Sequence, residues 1–474
     1  MLKMNRKDYL QKVHACWLGK NIGGTIGTPY EGKRDMNNVE GFTSPKGQML
    51  PNDDLDLQLI WLCAMEEHGP HKLSAQILGE YWISYIPAPW NEYGIGKSNM
   101  RMGLLPPLCG EYANERWKNS NGAWIRSEIW ACLCPGKPEM AIRYARMDAM
   151  VDHGLGEGTY AELFTAAMES AAFFEKDINK LLELGLTEIP EDCRVARSVR
   201  LAREQFDRGA SLQEAREALV ADSADLGWFQ APANVGFVVL GLLYGGGDFK
   251  KSVLYAVNCG DDTDCTGATV GALMGIIGGM EAIPTDWQEH IGDEIVSVAI
   301  DLSCGSRAKS CTELTNRIYQ LVPSVFKAND CYMEFTDGET EWIEGESAGW
   351  LRVPRLAPEK TPWSYELPDL VYAAGRVEFE REPVVAPGDS IRANLRFINR
   401  MGAPLHLFFR LYLPEGWSAG EFRKSLYLDP GYQEAVWNVT LTAGERMEPI
   451  NRTVVEVTTP GRPTVGYLPI TVLG

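Results

Sequence analysis

The 474-residue sequence predicts a multidomain chain of α and β parts. An all-α domain is expected over residues 1–330, an ordered linker over 331–368, and an immunoglobulin-like β-sandwich over 369–474. Three observations carry this. Before about residue 330 apolar residues recur at helical spacing and no alternating strand pattern occurs. From about Arg376 the chain alternates in short runs: RVEFE, SIRANLRFI, LHLFFRLYL, KSLYL, EAVWNVTL, TVVEVTT and TVGYLPITV. Turn signals such as APGD, MGAP and DPGY separate those runs at roughly ten-residue spacing, as in a sandwich.

The first helix is expected over 8–18, with Leu10, Val13, Trp17 and Leu18 inward. It leads into GKNIGGTIGTPYEG, where Gly19, Gly23 and Gly27 fall four apart, and Glu31 follows. A late stretch repeats that spacing at Gly267, Gly271 and Gly275. On helices both sets form bare stripes that admit a neighbouring backbone, so the two stripes are natural partners for each other.

Each stripe neighbours a carboxylate-rich helix start. In PNDDLDLQLIWLC, Asn52 is placed to cap a helix whose positive end favours Asp53 and Asp54. In NCGDDTDCTG, Asp261, Asp262 and Asp264 precede an uncharged run to Gly279. Either cluster alone reads as capping. Should the two converge, a divalent cation between them offsets the repulsion, since hard cations take fixed oxygen ligands.

Residues 90–127, rich in Gly, Asn and aromatics, read as a loop-rich insertion in which Asn121, Gly122 and Arg126 stand out. Helical pattern resumes at PEMAIRYARMDAMVDHG, where His153 beside Gly154 suits a helix C-terminus. Amphipathic surface helices are expected over 175–220, a buried helix from Gly236, and further helices over 289–326. The linker's Trp342, Trp350 and Trp363 are too apolar for a free tether and are expected to pack on the helical domain.

Composition narrows the partners. A net charge of −19 disfavours nucleic acid and anionic membranes. Eleven cysteines without regular spacing, and no apolar core of a secretory signal, fit a reducing cytoplasm. No stretch is apolar enough to span a membrane.

With both acidic stretches in view, residues from about 8 to 290 resemble the ADP-ribosylglycohydrolase family. That family carries an early T-D-D-T and a late G-G-D-T-D-T motif on an all-helical fold. Asn52, Asp53 and Asp54 stand at the first three places of the early motif; Gly260, Asp262, Thr263 and Asp264 match the late one. The resemblance implies two Mg2+ ions held by Asn52, Asp53, Asp54, Asp262 and Asp264. It implies catalysis by Glu31, Asp53 and Asp54, and substrate contacts from Asn121, Gly122, Arg126 and His153. Asn52, Leu55 and Cys265 replace family threonines, so one of the two metal positions is expected to be weak, altered or empty here. Asp56 or Asp261 is a candidate to compensate, and Mn2+ or Ca2+ an alternative to Mg2+.

The implied activity is hydrolysis of a glycosidic bond at the anomeric carbon, with Glu31 as general base and an ADP-ribosyl adduct as substrate. One alternative is another glycoside, favoured by the sandwich; another is a non-catalytic, crystallin-like member, which the retained carboxylates oppose. The sandwich is read as an accessory module, free to wall the site or to build a homo-oligomer contact.

Overall fold

Two antiparallel helices, Arg6–Gly27 and Thr263–Gly278, form the spine of the helical unit. Their glycine stripes meet backbone to backbone. A methyl group added at Gly19 would stand 2.1 Å from the Gly271 carbonyl oxygen, one at Gly27 2.4 Å from the Asp264 nitrogen, and one at Gly275 2.3 Å from the Ala15 carbonyl oxygen. The helix expected over 8–18 therefore runs on through its glycines, because close packing outweighs their low helix propensity. Asn5 starts it by accepting from the Asp8 amide.

The computed structural model describes residues 1–304, 307–342, 357–430 and 434–474. The chain forms two units, one of Met1–Gly94 with Asn114–Trp350, the other of Ile95–Ala113 with Leu351–Gly474.

In the first unit, helix Asp53–His68 is capped by Asn52 and buried on every side from Asp54 to Met65. Helices Ile178–Thr187, Arg194–Asp207 and Leu212–Asp222 bury one face each, while Ala231–Gly245 is buried almost throughout. Three expectations are corrected. Residues 91–102 are helical rather than loop, held in part by Tyr93 packed edge-on against Trp82 at 5.1 Å. Helix is not continuous over 289–326: between Thr285–Ile291 and Cys311–Ala328 the described residues are not helical, and among them the Val298 and Ala299 amides bond Asp56. A strand, Leu2–Asn5, precedes the first helix. It pairs in parallel with Met333–Thr336 and antiparallel with Glu341–Trp342, partners too remote in sequence to anticipate. Trp342 packs on Phe174 at 5.5 Å; Trp350 lies outside the described residues.

The second unit holds two antiparallel sheets. One orders Ser364–Glu366, Ala373–Phe379, Ser390–Asn399, Glu434–Thr442 and Ser418–Ala419; the other orders Gly466–Leu473, Ile450–Thr458, Leu405–Tyr412 and Arg423–Leu428. This is the order of an immunoglobulin-type sandwich. Alternation decides which side faces in: Leu405, Leu407, Phe409 and Leu411 are buried, and the residues between them are exposed. Phe409 meets Phe397 and Trp437 of the opposite sheet at 4.8 and 5.6 Å. Segment Ile95–Ala113 joins this unit through a bridge from Pro107 to Tyr365 and a bond from the Thr471 hydroxyl to the Gly103 carbonyl.

Candidate metal centre

The glycine-packed spine sets the end of one helix against the start of the other. The loop after Gly27 carries Glu31, and the first turn at Thr263 carries Asp262, Asp264 and Cys265. Backbone pairings between Asp261 and Lys33 and between Gly32 and Asp261 tie the two loops, and the Thr263 hydroxyl bonds the Gly27 carbonyl at 2.8 Å. The start of helix Asp53–His68 reaches the same place, because the amide of Asn52 packs directly on Gly24.

The two acidic stretches converge. In each of two groups, Glu31–Asp262–Asp264 and Asp54–Asp264–Cys265, the ligand atoms lie within 4.8 Å of one another. Asp264 belongs to both. Neither carboxylate oxygen of Asp54, nor Oδ1 of Asp264, has a hydrogen-bond partner of ordinary geometry, although both residues are buried. Buried carboxylates are normally satisfied. Burial followed by neighbouring carboxylates pushes the Asp264 pKa well up. Burial does the same for Asp54, against the opposing pull of Lys20. Such a donor set fits a divalent cation, which supplies the missing partner for each oxygen.

Glu31 is exposed, yet its walls desolvate the carboxyl and, with Asp262 and Asp53 nearby, push its pKa to about 7. Asp53 lies outside both groups; burial and Asp262 raise it to about 6, and its Oδ2 accepts from the Tyr93 hydroxyl at 3.3 Å.

Other expected residues surround the cluster without opening onto it. Oδ1 of Asn52 accepts from the Asp54 amide at 2.8 Å, so its carbonyl oxygen serves as a cap. Asn121 donates to Asp262 Oδ2 at 2.7 Å and accepts from the Trp124 indole, an arrangement that fixes Asp262. Gly122 lies where a side chain would strike Glu92, and its carbonyl accepts from Arg126. Arg126 is fully buried, its guanidinium bridging Asp148 at 2.8 Å and Asp152 at 2.7 Å. His153 is equally buried, between Asp152 at 2.9 Å and the Ser120 hydroxyl at 3.0 Å. These groups brace the loop that holds Asn121.

The two candidate compensating aspartates are held elsewhere. Oδ2 of Asp56 accepts from the Val298 and Ala299 amides at 2.6 and 2.7 Å, and Asp261 accepts from the Phe229 amide and the Asn234 side chain at 3.2 Å each. Neither belongs to the two groups of ligand atoms.

Three residues near the cluster escaped the sequence reading. Asn234 holds both the Asp261 side chain and the Asp262 amide; the signal was a lone amide in an apolar helix. Lys20, 1% exposed, pairs with Glu128 at 2.7 Å and neighbours Asp54. Arg34 lies over the Trp228 ring, with Asp261 and Arg116 as its charged neighbours. No local pattern marked these cations.

An all-helical domain gathering carboxylates from three chain segments around one spine is the class that this geometry defines. The chain belongs to the ADP-ribosylglycohydrolase family, whose model matches residues 5–321. No curated protein matches the chain. Among solved structures, a FixG-related protein from Vibrio parahaemolyticus is 13% identical, covering 22% of this chain and 95% of that one at a TM-score of 0.18. Among the described residues, no helix is long and apolar enough to cross a membrane.

Proposed function

We propose that this protein is a divalent-metal-dependent hydrolase that cleaves the glycosidic bond of an ADP-ribosyl adduct at its anomeric carbon. The observation that carries this is the carboxylate of Asp264, shared by two groups of ligand atoms and with its buried Oδ1 unpartnered. Asp54, Asp262 and Asp264 would hold the ions, with Asp53 at the edge. Bound there, divalent cations would supply Lewis-acid activation and orient sugar hydroxyls.

The chain's own residues do the rest. Glu31, exposed and grouped with Asp262 and Asp264, would give one carboxylate oxygen to an ion and take the proton from an attacking water with the other. Asn121 and Asn234 keep Asp262 in place, and the buried Arg126–Asp148–Asp152 group stiffens the loop behind Asn121. Arg34, Arg116 and Trp228 favour an anionic substrate with an aromatic part over a neutral glycoside. The net charge of −19 keeps nucleic acid an unfavourable partner.

The test is hydrolysis of ADP-ribosylated peptides beside a panel of neutral glycosides, with and without chelator. Chelator-sensitive release of ADP-ribose is expected. Turnover of neutral glycosides alone would replace the substrate, and turnover indifferent to chelator would remove the metal.

A further inference from the structure

We propose that Asp54, Asp264 and Cys265 form a site for a thiophilic divalent cation of the zinc class, beside an all-oxygen position at Glu31, Asp262 and Asp264 for a hard ion such as Mn2+ or Mg2+. The centre thus holds two unlike metals. This rests on the metal-dependent reading above and goes beyond it in ligand chemistry.

The thiol is held in place. Cys265 lies in the first turn of helix Thr263–Gly278, 6% exposed. That turn cannot slide, because Thr263 and Asp264 backbone atoms lie within 2.4 Å of where a Gly27 side chain would begin. Its sulfur and the two carboxylates stand within 4.8 Å of one another. Zinc bonds sulfur at about 2.3 Å and carboxylate oxygen at about 2.0–2.2 Å, so two ligands of one tetrahedral ion lie roughly 3.6 Å apart. Closing that gap takes about an ångström of side-chain movement, on the same distances.

The unpartnered oxygen points the same way. Oδ1 of Asp264 is buried without a hydrogen-bond partner, and beside the buried carboxylate of Asp54 stands the Cys265 thiol, whose proton a bound cation would replace. Magnesium would leave the sulfur idle, since a thiol is a poor ligand for a hard ion, whereas zinc-class cations favour it. On binding, the Cys265 S–H bond breaks, its proton passes to solvent, and the sulfur lone pair forms the bond to the metal, with no change of oxidation state. The other position contains only carboxylates, which suits hard ions.

Removing a partner one layer out from a metal lowers its affinity about 10–100-fold. Removing the sulfur itself should lower zinc affinity by at least about 100-fold, at the upper end of that range. The experiment uses the full chain, stripped by chelator and titrated with Co2+ as a spectroscopic stand-in for zinc, with Mn2+ binding followed separately by electron paramagnetic resonance. One equivalent of Co2+ should raise thiolate-to-metal charge-transfer absorption. Cys265→Ser and Cys265→Thr should lose that absorption while keeping one equivalent of Mn2+ and the wild-type melting temperature. Bound Mn2+ with no charge-transfer absorption in the wild-type protein would overturn this proposal and leave the proposed function standing. Absorption that survives in Cys265→Ser would overturn it too. Failure to take up either ion would overturn both.

Discussion

Gly23 and Gly267 touch through their backbones: a methyl group on Gly23 would lie 2.0 Å from the Gly267 carbonyl oxygen. Nothing flexible can yield there, since the obstacle is main chain. The separation of the two helices, and with it the placing of Asp262 and Asp264 near Glu31, depends on that contact.

Gly23→Ala should therefore destabilise the protein by about 1–3 kcal/mol or more, the range for overpacking a core. Gly41→Ala, where nothing lies within 4 Å, serves as the control. Denaturant unfolding of the full chain measures both. Equal stability of the two variants would mean that the helices are not locked by their glycines.

Chelated protein should become less stable as pH rises from about 4 to about 7. Unfolded Asp and Glu titrate at about 3.9 and 4.3, whereas folded Asp53 and Glu31 titrate at about 6 and about 7. Across that window the folded state binds more protons, so rising pH favours unfolding. A bound divalent cation stabilises the charged carboxylates and should flatten or invert the trend. Melting temperature against pH, with chelator and with metal, reads this out; rising stability under chelator would contradict the raised pKa values.

Arg126→Ala should destabilise strongly, by about 3–5 kcal/mol, because it strands two buried carboxylates. Arg126→Lys should recover little, as one ammonium cannot reproduce the fork that spans Asp148 and Asp152. A variant with normal stability and raised KM would instead make Arg126 a substrate contact.

Arg34→Ala combined with Arg116→Ala should raise KM for an ADP-ribosyl substrate by about tenfold or more, the loss expected for a charge-assisted hydrogen bond. The kcat should change little, and stability by less than about 0.5 kcal/mol, as usual for surface positions. An unchanged KM would remove the two arginines from substrate binding.

A fragment ending at residue 330 should aggregate. It lacks Met333–Thr336, the parallel partner of Leu2–Asn5, and leaves Ile95–Ala113 without Tyr365 and Thr471. Light scattering against the full chain tests this, and a soluble monomeric fragment would show that those pairings are dispensable.

What the sequence disclosed was periodic or local. Glycines four apart announced the helix pair, carboxylates beside a helix start announced the cluster, and alternation announced the sandwich. What it concealed was non-local. Asp56 and Asp54 look alike in sequence, yet amides from residues 298 and 299 claim one, while the other stands with Asp264 and Cys265. Arg126 stands in a motif that suggests ligand contact, but Asp148 and Asp152 enclose it. The helix at 91–102 contains Gly94 and Gly96 and owes its form to packing, which propensity does not register.

Segment Ile95–Ala113 has a consequence for synthesis. The Gly103 carbonyl and the Thr471 hydroxyl that bonds it are 368 residues apart. On a ribosome adding about 5–20 residues per second, Thr471 is made roughly 20–70 s after Gly103. Until then the nascent chain carries a segment that lacks its last partner, so this contact closes only when the final strand, Gly466–Leu473, has been made.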